Sequence, residues 1–275
     1  MFKRSFRSQD QNRVAKTKKP RDQAKLTKLQ RSFSGLRLPQ QPSPVVTLAV
    51  GRHARLFAAH EEVLGQSPLL AAACREGFLA SPHGPSPTTM TLADEEPDVF
   101  SAVLEYLYKG DYYPRLLHNK RRNSWELEDD ARMGHASPSS PDIIGGRDGA
   151  ACVYLSNLDV AVLRDTVIYC AAHRYGLDEL KRLALRKQGL QAGIDVATIL
   201  RSAQYAYAHT PDTDSRLRAH YLALIIRCRK TFKRSGTMQA EMEAGGSKLF
   251  FDLFVAMCNH LDDVIDGHVR SPRTI

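Results

Sequence analysis

Residues 57–68 read FAAHEEVLGQSP and decide the fold. The first residues end a β-prone run, and the middle is predicted to form one or two helical turns. Ser67 then precedes Pro68, which is the order of a capping residue followed by proline at the first helical position. The stretch therefore indicates a strand that passes into a short helix, with a second helix through about Phe78.

Further elements flank this stretch on both sides. A β-branched run over residues 45–50 and a turn at Gly51 predict a hairpin with a strand over residues 54–59. A third β-prone run covers residues 88–92, and an amphipathic helix follows over residues 97–110. A short three-stranded sheet cannot stand alone, so the helices must cover it. The predicted fold class is α+β.

The remainder of the chain predicts an insertion and then helices. About residues 113–152 form a long segment rich in proline, glycine and charge blocks, which predicts a mobile insertion. A helix from about residue 157, closed by Gly176, and a second helix to Lys187 form an αα-hairpin. Three more helical segments are predicted: 194–209, 212–233 and 247–266. The predicted organisation is a basic disordered tail over 1–43, a domain over 44–190 and a helical C-terminal region over 191–268.

The positive charge of the chain is concentrated at its start. The chain has a formal net charge of +9, and residues 1–44 hold 12 Lys and Arg against 2 acidic residues. The other 231 residues hold 27 against 28. A nucleic-acid contact, if there is one, is therefore expected through the tail and not through the folded part.

Cysteine usage and hydropathy indicate a protein that stays inside the cell, in the nucleus or the cytoplasm. The 5 cysteines are odd in number and scattered, without a Cys-x-x-Cys pair, so they predict neither a disulfide framework nor a zinc ribbon. No apolar run approaches the ~20 residues of a membrane span, and the charged start does not read as a secretory signal. We expect no membrane partner.

Several spaced motifs resemble those of one family, in the same order. Residues 57–68 are similar to the F-x-V-H-x-x-V-L-x-x-S-P core of BTB/POZ domains. The likeness continues in register over residues 74–78, 90–100, 103–112 and 171–180. It covers about residues 45–187, and the insertion and extra C-terminal helices resemble fungal-type members. The resemblance implies the BTB/POZ fold, followed by an α-helical region.

The resemblance also implies a function in protein association. Members of the family form homodimers, and many bind the third-class cullin scaffold of ubiquitin ligases through a hydrophobic residue, any residue and then Glu. Phe78 and Leu79 occupy the first two of those positions, but Ala80 replaces the Glu. The hydrophobic anchor for a protein partner is therefore present, whereas the residue that cullin binding requires is changed.

The basic tail allows three interpretations. Lys18, Lys19 and Arg21 fit a short nuclear-import signal, a flexible polycation that enters an acidic groove. A solvated tail that contacts RNA is an equal alternative. A mitochondrial presequence is the third, because the first eight residues hold Phe, Lys and Arg without an acid.

Two features have both a functional and a structural interpretation. Trp125 is the only tryptophan and lies in the charged insertion, where it either anchors a partner or folds back over the domain. The final helix has an apolar stripe that is predicted to be core in preference to a partner surface. Its members are Leu249, Phe250, Leu253, Phe254, Met257 and Leu261.

No catalytic, cofactor-binding or metal-binding residues are predicted. The chain has no phosphate-binding loop, Gly-x-Ser-x-Gly elbow or His-Glu-x-x-His motif. Cys170 and His173 lack further ligands at zinc-like spacing, and His60 is expected to be a structural histidine. Two hypotheses remain: a scaffold or adaptor that associates with itself or another protein, and a nuclear regulator whose tail contacts nucleic acid.

Overall fold

The structure is a computed structural model that describes residues 44–79, 89–128 and 151–270, with side chains for 44–75, 89–128 and 151–266. It is a mixed α+β fold. The strands are β1 Val45–Val50, β2 Arg55–His60, β3 Thr89–Leu92, β4 Leu116–Asn119, β5 Ser124–Leu127, β6 Cys152–Leu155 and β7 Val160–Leu163. The helices are α1 Glu61–Leu64, α2 Pro68–Leu79, α3 Pro97–Lys109, α4 Arg164–Tyr175, α5 Asp178–Gln188, α6 Val196–His209, α7 Ser215–Arg227, α8 Arg229–Phe232, α9 Gly236–Ala244 and α10 Lys248–Arg270.

The three predicted strands form one sheet in the order β2-β1-β3. β1 pairs with β2 antiparallel, Leu48 opposite Phe57, and with β3 parallel, Leu48 opposite Met90. Gly51 has φ 74°, a conformation that glycine adopts without strain, and its N–H bonds the carbonyl of Leu92 at 2.9 Å. One glycine thus turns the hairpin and fixes the end of β3.

Helices cover the sheet as the apolar stripes predicted. α3 ends at Gly110, which has the left-handed conformation typical of a helix C-cap, and α4 ends in the same way at Gly176. The rings of Phe100 and Tyr175 lie 6.3 Å apart in an edge-to-face contact. α3 and α4 therefore share one interior beside the sheet.

Two hairpins occur where the sequence predicted an insertion and a helix. β4 pairs with β5, and β6 pairs with β7, each antiparallel. α4 begins at Arg164 and not near residue 157, because residues 160–163 continue a ladder with residues 152–155. Asp159 makes the turn between them with φ 56°. The part of the predicted insertion over residues 129–150 lies outside the described residues, as does the predicted tail.

The C-terminal helices extend the same core. Leu200, Tyr221 and Leu249 are buried in one cluster with Leu48 of the sheet. The helix predicted over residues 212–233 is divided at Cys228 into α7 and α8, and α9 was not predicted. None of the helices in the described part of the chain has the length and apolar content that a membrane span requires.

Candidate protein-interaction surface

The last helix, α10, carries an exposed apolar face on its outer side. Phe251 and Phe254 are 70% and 65% exposed, and Leu261 and Ile265 are 56% and 58% exposed. We call this surface the α10 face and define it by its exposed apolar residues: Phe251, Phe254, Val255, Met257, Leu261, Val264 and Ile265. Single exposed apolar side chains are ordinary, but a contiguous patch of them marks a surface for association.

The first half of α10 is anchored on the body of the protein. Leu249 and Leu253, on its inner side, are buried where α10 packs against α6 and α7. At the start of the helix, Lys248 Nζ lies 3.1 Å from a carboxylate oxygen of Asp212. The backbone N–H of Leu249 donates to the hydroxyl of Ser247 at 3.2 Å. These contacts fix the direction in which α10 leaves the core.

The second half of α10 lies in solvent, since every residue from 259 to 266 is exposed. The prediction that the stripe is core is correct for Leu249 and Leu253. It is wrong for Phe254, Met257 and Leu261, which are exposed. The buried residues lie toward the anchored end, and the exposed residues continue the pattern beyond the body.

The apolar positions of α10 have the spacing of a helix that packs against another helix. Four residues of the face follow one another at intervals of three, four and three: Phe254, Met257, Leu261 and Val264. This is the heptad spacing of the seam between paired helices, whose mean period of 3.5 residues keeps one face toward the partner. The pattern therefore predicts a helical partner for the α10 face.

The charges of α10 are acidic and lie off the apolar face. With 100° between successive residues, Asp263 projects to the opposite side, whereas Asp262 and Asp266 lie along the edge of the face beside Val255. Lys248 is the only lysine or arginine between residues 248 and 266. The α10 face is consequently uncharged with an acidic flank.

Trp125 lies on the β4–β5 hairpin, where it contacts the domain, and its role as an anchor for a partner stays a prediction. Its side chain is 43% exposed. Its ring lies 4.8 Å from the ring of His118, centroid to centroid, and the guanidinium of Arg186 on α5 is 5.4 Å from its centroid. Trp125 therefore folds back toward α5 and stays partly exposed.

The other predicted interaction residues cannot be placed in a site. Phe78 and Leu79 form the end of α2, where side chains lie outside the described residues, as does the whole of Ala80. Lys18, Lys19 and Arg21 also lie outside the described residues.

A fully buried lysine, which the sequence gave no reason to single out, joins α5 to the segment after α3. Lys187 Nζ donates to a carboxylate oxygen of Asp111 and to the backbone carbonyls of Tyr112 and Pro114, the last at 2.8 Å. Its ammonium also lies 3.6 Å from the ring centroid of Tyr112. Burial lowers the pKa of Lys187 below its ordinary value, against the opposing effect of Asp111. The cluster therefore ties α5 to the segment between Asp111 and Pro114.

A pocket of about 200 Å³ lies between α4, α5 and the start of α7. On its wall, Lys181 Nζ lies 2.7 Å from a carboxylate oxygen of Asp214, which also accepts a 2.8 Å hydrogen bond from Tyr169. Asp214 is thus already paired with both neighbours, and it ties α4 and α5 to the loop before α7. The contacts explain the position of the loop without a ligand.

The histidine at the strand-to-helix junction has a local partner. The ring Nδ1 of His60 lies 2.7 Å from the hydroxyl of Tyr108, and the backbone N–H of His60 donates to the same hydroxyl at 3.0 Å.

Cys170 is buried, and burial raises the pKa of its thiol to about 12. In the described parts of the chain, no three or more His, Cys, Asp or Glu side chains are grouped closely enough to hold a metal ion.

Neither a protein-family model nor a curated protein matches this chain. The surfaces described above are therefore the basis for its proposed function, and the α10 face has the most exposed apolar side chains among them.

Proposed function

We propose that this chain is a non-enzymatic protein-interaction module, a scaffold or adaptor that associates with itself or with another protein. The observation that carries the proposal is the α10 face, on which seven apolar side chains between residues 251 and 265 are exposed together. Water contact with so much apolar surface is unfavourable, by about 25 cal/mol for each Å². Association removes that cost.

The arrangement of the preceding elements supports a BTB/POZ-like domain as the body of this module. β1, β2, α2, β3 and α3 follow in the order that the resemblance implies, and α4 and α5 form the expected pair of helices behind them. The buried contacts of Ser67, the residue before the α2 proline, join this first part to α4. The α10 face then projects from a rigid body that positions it.

The solution mass of the purified full chain tests the proposal. Light scattering over a range of concentrations, alone and with the N-terminal part of the third-class cullin, compares the mass with the 30.7 kDa of one chain. We expect a mass above that of one chain without cullin. A mass that stays at 30.7 kDa throughout, with and without cullin, contradicts the proposal.

The measurement with cullin can be repeated on a variant that is expected to gain cullin binding. Because Ala80 replaces the Glu of the family's cullin-binding motif, we expect the parent chain to take up no cullin and the Ala80→Glu variant to do so. Cullin uptake by the parent would instead make it a ubiquitin-ligase adaptor that does not need the Glu.

A further inference from the structure

The α10 face is larger than the apolar patch of an ordinary monomer. From their exposed fractions, its seven side chains present on the order of 700 Å². The largest patch on a typical monomer is roughly 300–600 Å². A stable interface of standard size buries about 800 Å² on each partner. The area of the α10 face therefore corresponds to one side of a complete interface.

The exposed half of α10 is also too short to be stable alone. Isolated helices below ~12–15 residues are marginal in water, and most helical stability comes from packing of an apolar face. Residues 259–266 are exposed on all sides, yet Leu261, Val264 and Ile265 continue the apolar stripe through them. A partner that covers this stripe would supply the missing packing.

The chemistry of the face fits a second copy of the same chain. A two-fold interface brings each patch against itself, so the patch must be self-complementary, and a patch of one charge would repel its copy. Along the described residues of α10, the side chains between Phe251 and Ile265 that form the face are all uncharged. Two such faces can meet along the line of Phe254, Leu261 and Ile265 without burying a charge.

The charge distribution along α10 sets the direction of the pair. Asp262, Asp263 and Asp266 all lie in the second half of the described helix. A parallel pair would bring these carboxylates of both copies to one end. An antiparallel pair separates the two sets of carboxylates, and it brings Asp266, at the edge of the face, level with the first turn of the partner helix, where the helix dipole is positive. The same carboxylates disfavour an anionic membrane surface, which binds helices rich in Lys and Arg.

We infer that the α10 face pairs antiparallel with the α10 face of a second copy and makes the chain a dimer. This inference rests on the proposed function and names the partner of the same surface. The midpoint between Phe251 and Ile265 is Cys258, so the two copies cross close to this residue, and Phe251 of one copy lies near Ile265 of the other.

Sedimentation velocity of the full chain with one disruptive and one control variant tests the pairing. Leu261→Asp places a charge in the centre of the face, and we expect it to weaken dimerisation more than about tenfold, since a buried unpaired charge is costly. Asn259→Asp adds the same charge to the same helix, on the opposite side, and should leave the dimer intact. Both residues are exposed, so thermal unfolding should show an intact core, and circular dichroism should lose no more helical signal than the second half of α10 contributes.

Together with the cullin mixture described above, this experiment has four outcomes that can be told apart. A dimeric parent that Leu261→Asp converts to monomer, with Asn259→Asp still dimeric, supports the pairing. A dimer that survives Leu261→Asp overturns it and leaves association through another surface, so the proposed function stands. A monomeric parent that takes up cullin overturns the pairing alone, and a monomer that ignores cullin overturns both.

Cross-linking tests the direction of the pair. Phe251→Cys and Ile265→Cys chains, each in a Cys258→Ser background, are mixed with oxidised glutathione as the oxidant. We expect a covalent dimer in the mixture that neither chain forms alone. Cross-links within either single variant, without any gain on mixing, would contradict the antiparallel arrangement.

Discussion

The hydroxyl of Ser67 donates a buried hydrogen bond of 2.8 Å to the backbone carbonyl of Tyr175, 108 residues later in the chain. The same oxygen accepts from the backbone N–H of Leu70 at 3.3 Å, so it also caps α2. A Cβ on Gly176 would lie 3.2 Å from the ring of Pro68. The Ser-Pro start of α2 thus packs directly against the end of α4 and joins the sheet region to the helices behind it.

Replacing Ser67 with Ala should destabilise the protein by about 1–3 kcal/mol. The change removes the α2 cap and leaves the carbonyl of Tyr175 without this donor in a buried site. Ser101→Ala, on the exposed side of α3, is the control and should be neutral. Urea unfolding measures both, and equal stability of the two variants would show that the Ser67 contacts are dispensable.

Lys187→Met should cost about 3 kcal/mol of unfolding free energy. It removes the cation that pairs with Asp111 and the donor to the carbonyl of Pro114, so Asp111 keeps only the backbone N–H groups of Tyr112 and Leu116. Adding Asp111→Asn to this variant should recover part of the loss, because the unpaired charge is then removed as well. Thermal unfolding of the three proteins checks the pair, and a double variant less stable than Lys187→Met would contradict it.

Stability should fall steeply in alkaline solution. Burial raises the pKa of Tyr112, Tyr169, Tyr175, Tyr205, Tyr207 and Tyr221 above their ordinary value near 10. The unfolded chain then loses protons that the folded chain keeps, so this contribution is complete below about pH 10 and is lost above it. Unfolding followed by helical signal should coincide with the rise of tyrosinate absorbance. Tyrosinate absorbance that rises near pH 10 in a fully folded protein would refute this.

Asp195 should be replaceable by Asn but not by Ala. Its carboxylate accepts a 2.9 Å hydrogen bond from the N–H of Thr198 at the start of α6. Although burial acts in the opposite direction, the hydrogen bonds from Thr198 lower the pKa of Asp195 below its usual value. Asp195→Ala should cost about 0.5–2 kcal/mol, and Asp195→Asn much less, because Asn also caps.

The free energy of unfolding of these variants, measured as a function of pH in acid solution, checks the contribution of the Asp195 cap to stability. A lowered pKa means stability that is present above about pH 4 and is lost as the pH falls below it. The parent should therefore lose its advantage over Asp195→Ala in acid. A stability difference that does not change between neutral and acid solution would contradict the capping role.

The sequence predicts the elements with strong local signals. The hairpin turn at Gly51 and the helix ends at Gly110 and Gly176 were predicted from glycine, and all three have positive φ. The hairpins β4–β5 and β6–β7 were missed because each strand has four residues, too few for a periodic pattern. Asp159 and Asn123 turn these hairpins with positive φ. Positive φ is uncommon in residues other than glycine, so these two turns were not predicted.

The α10 face shows that the apolar periodicity of a helix does not reveal whether its apolar side is covered by the rest of the protein. The apolar spacing of α10 is continuous from Leu249 to Ile265 and correctly predicts a long helix. Whether Leu261 is buried depends on how far the core extends along the helix axis, which is a property of the tertiary fold. The same period therefore describes core at Leu253 and an exposed face at Leu261.

Hydrogen exchange of the full chain, at high and low protein concentration, is the most direct test that the α10 face is covered by protein. We expect the amides of residues 257–266 to become protected as the concentration rises, because pairing stabilises the exposed half of the helix. The amides of the turn at Leu253, which is buried against the body of the protein, should stay protected at both concentrations. Rapid exchange of residues 257–266 that does not change with concentration would contradict self-association through α10.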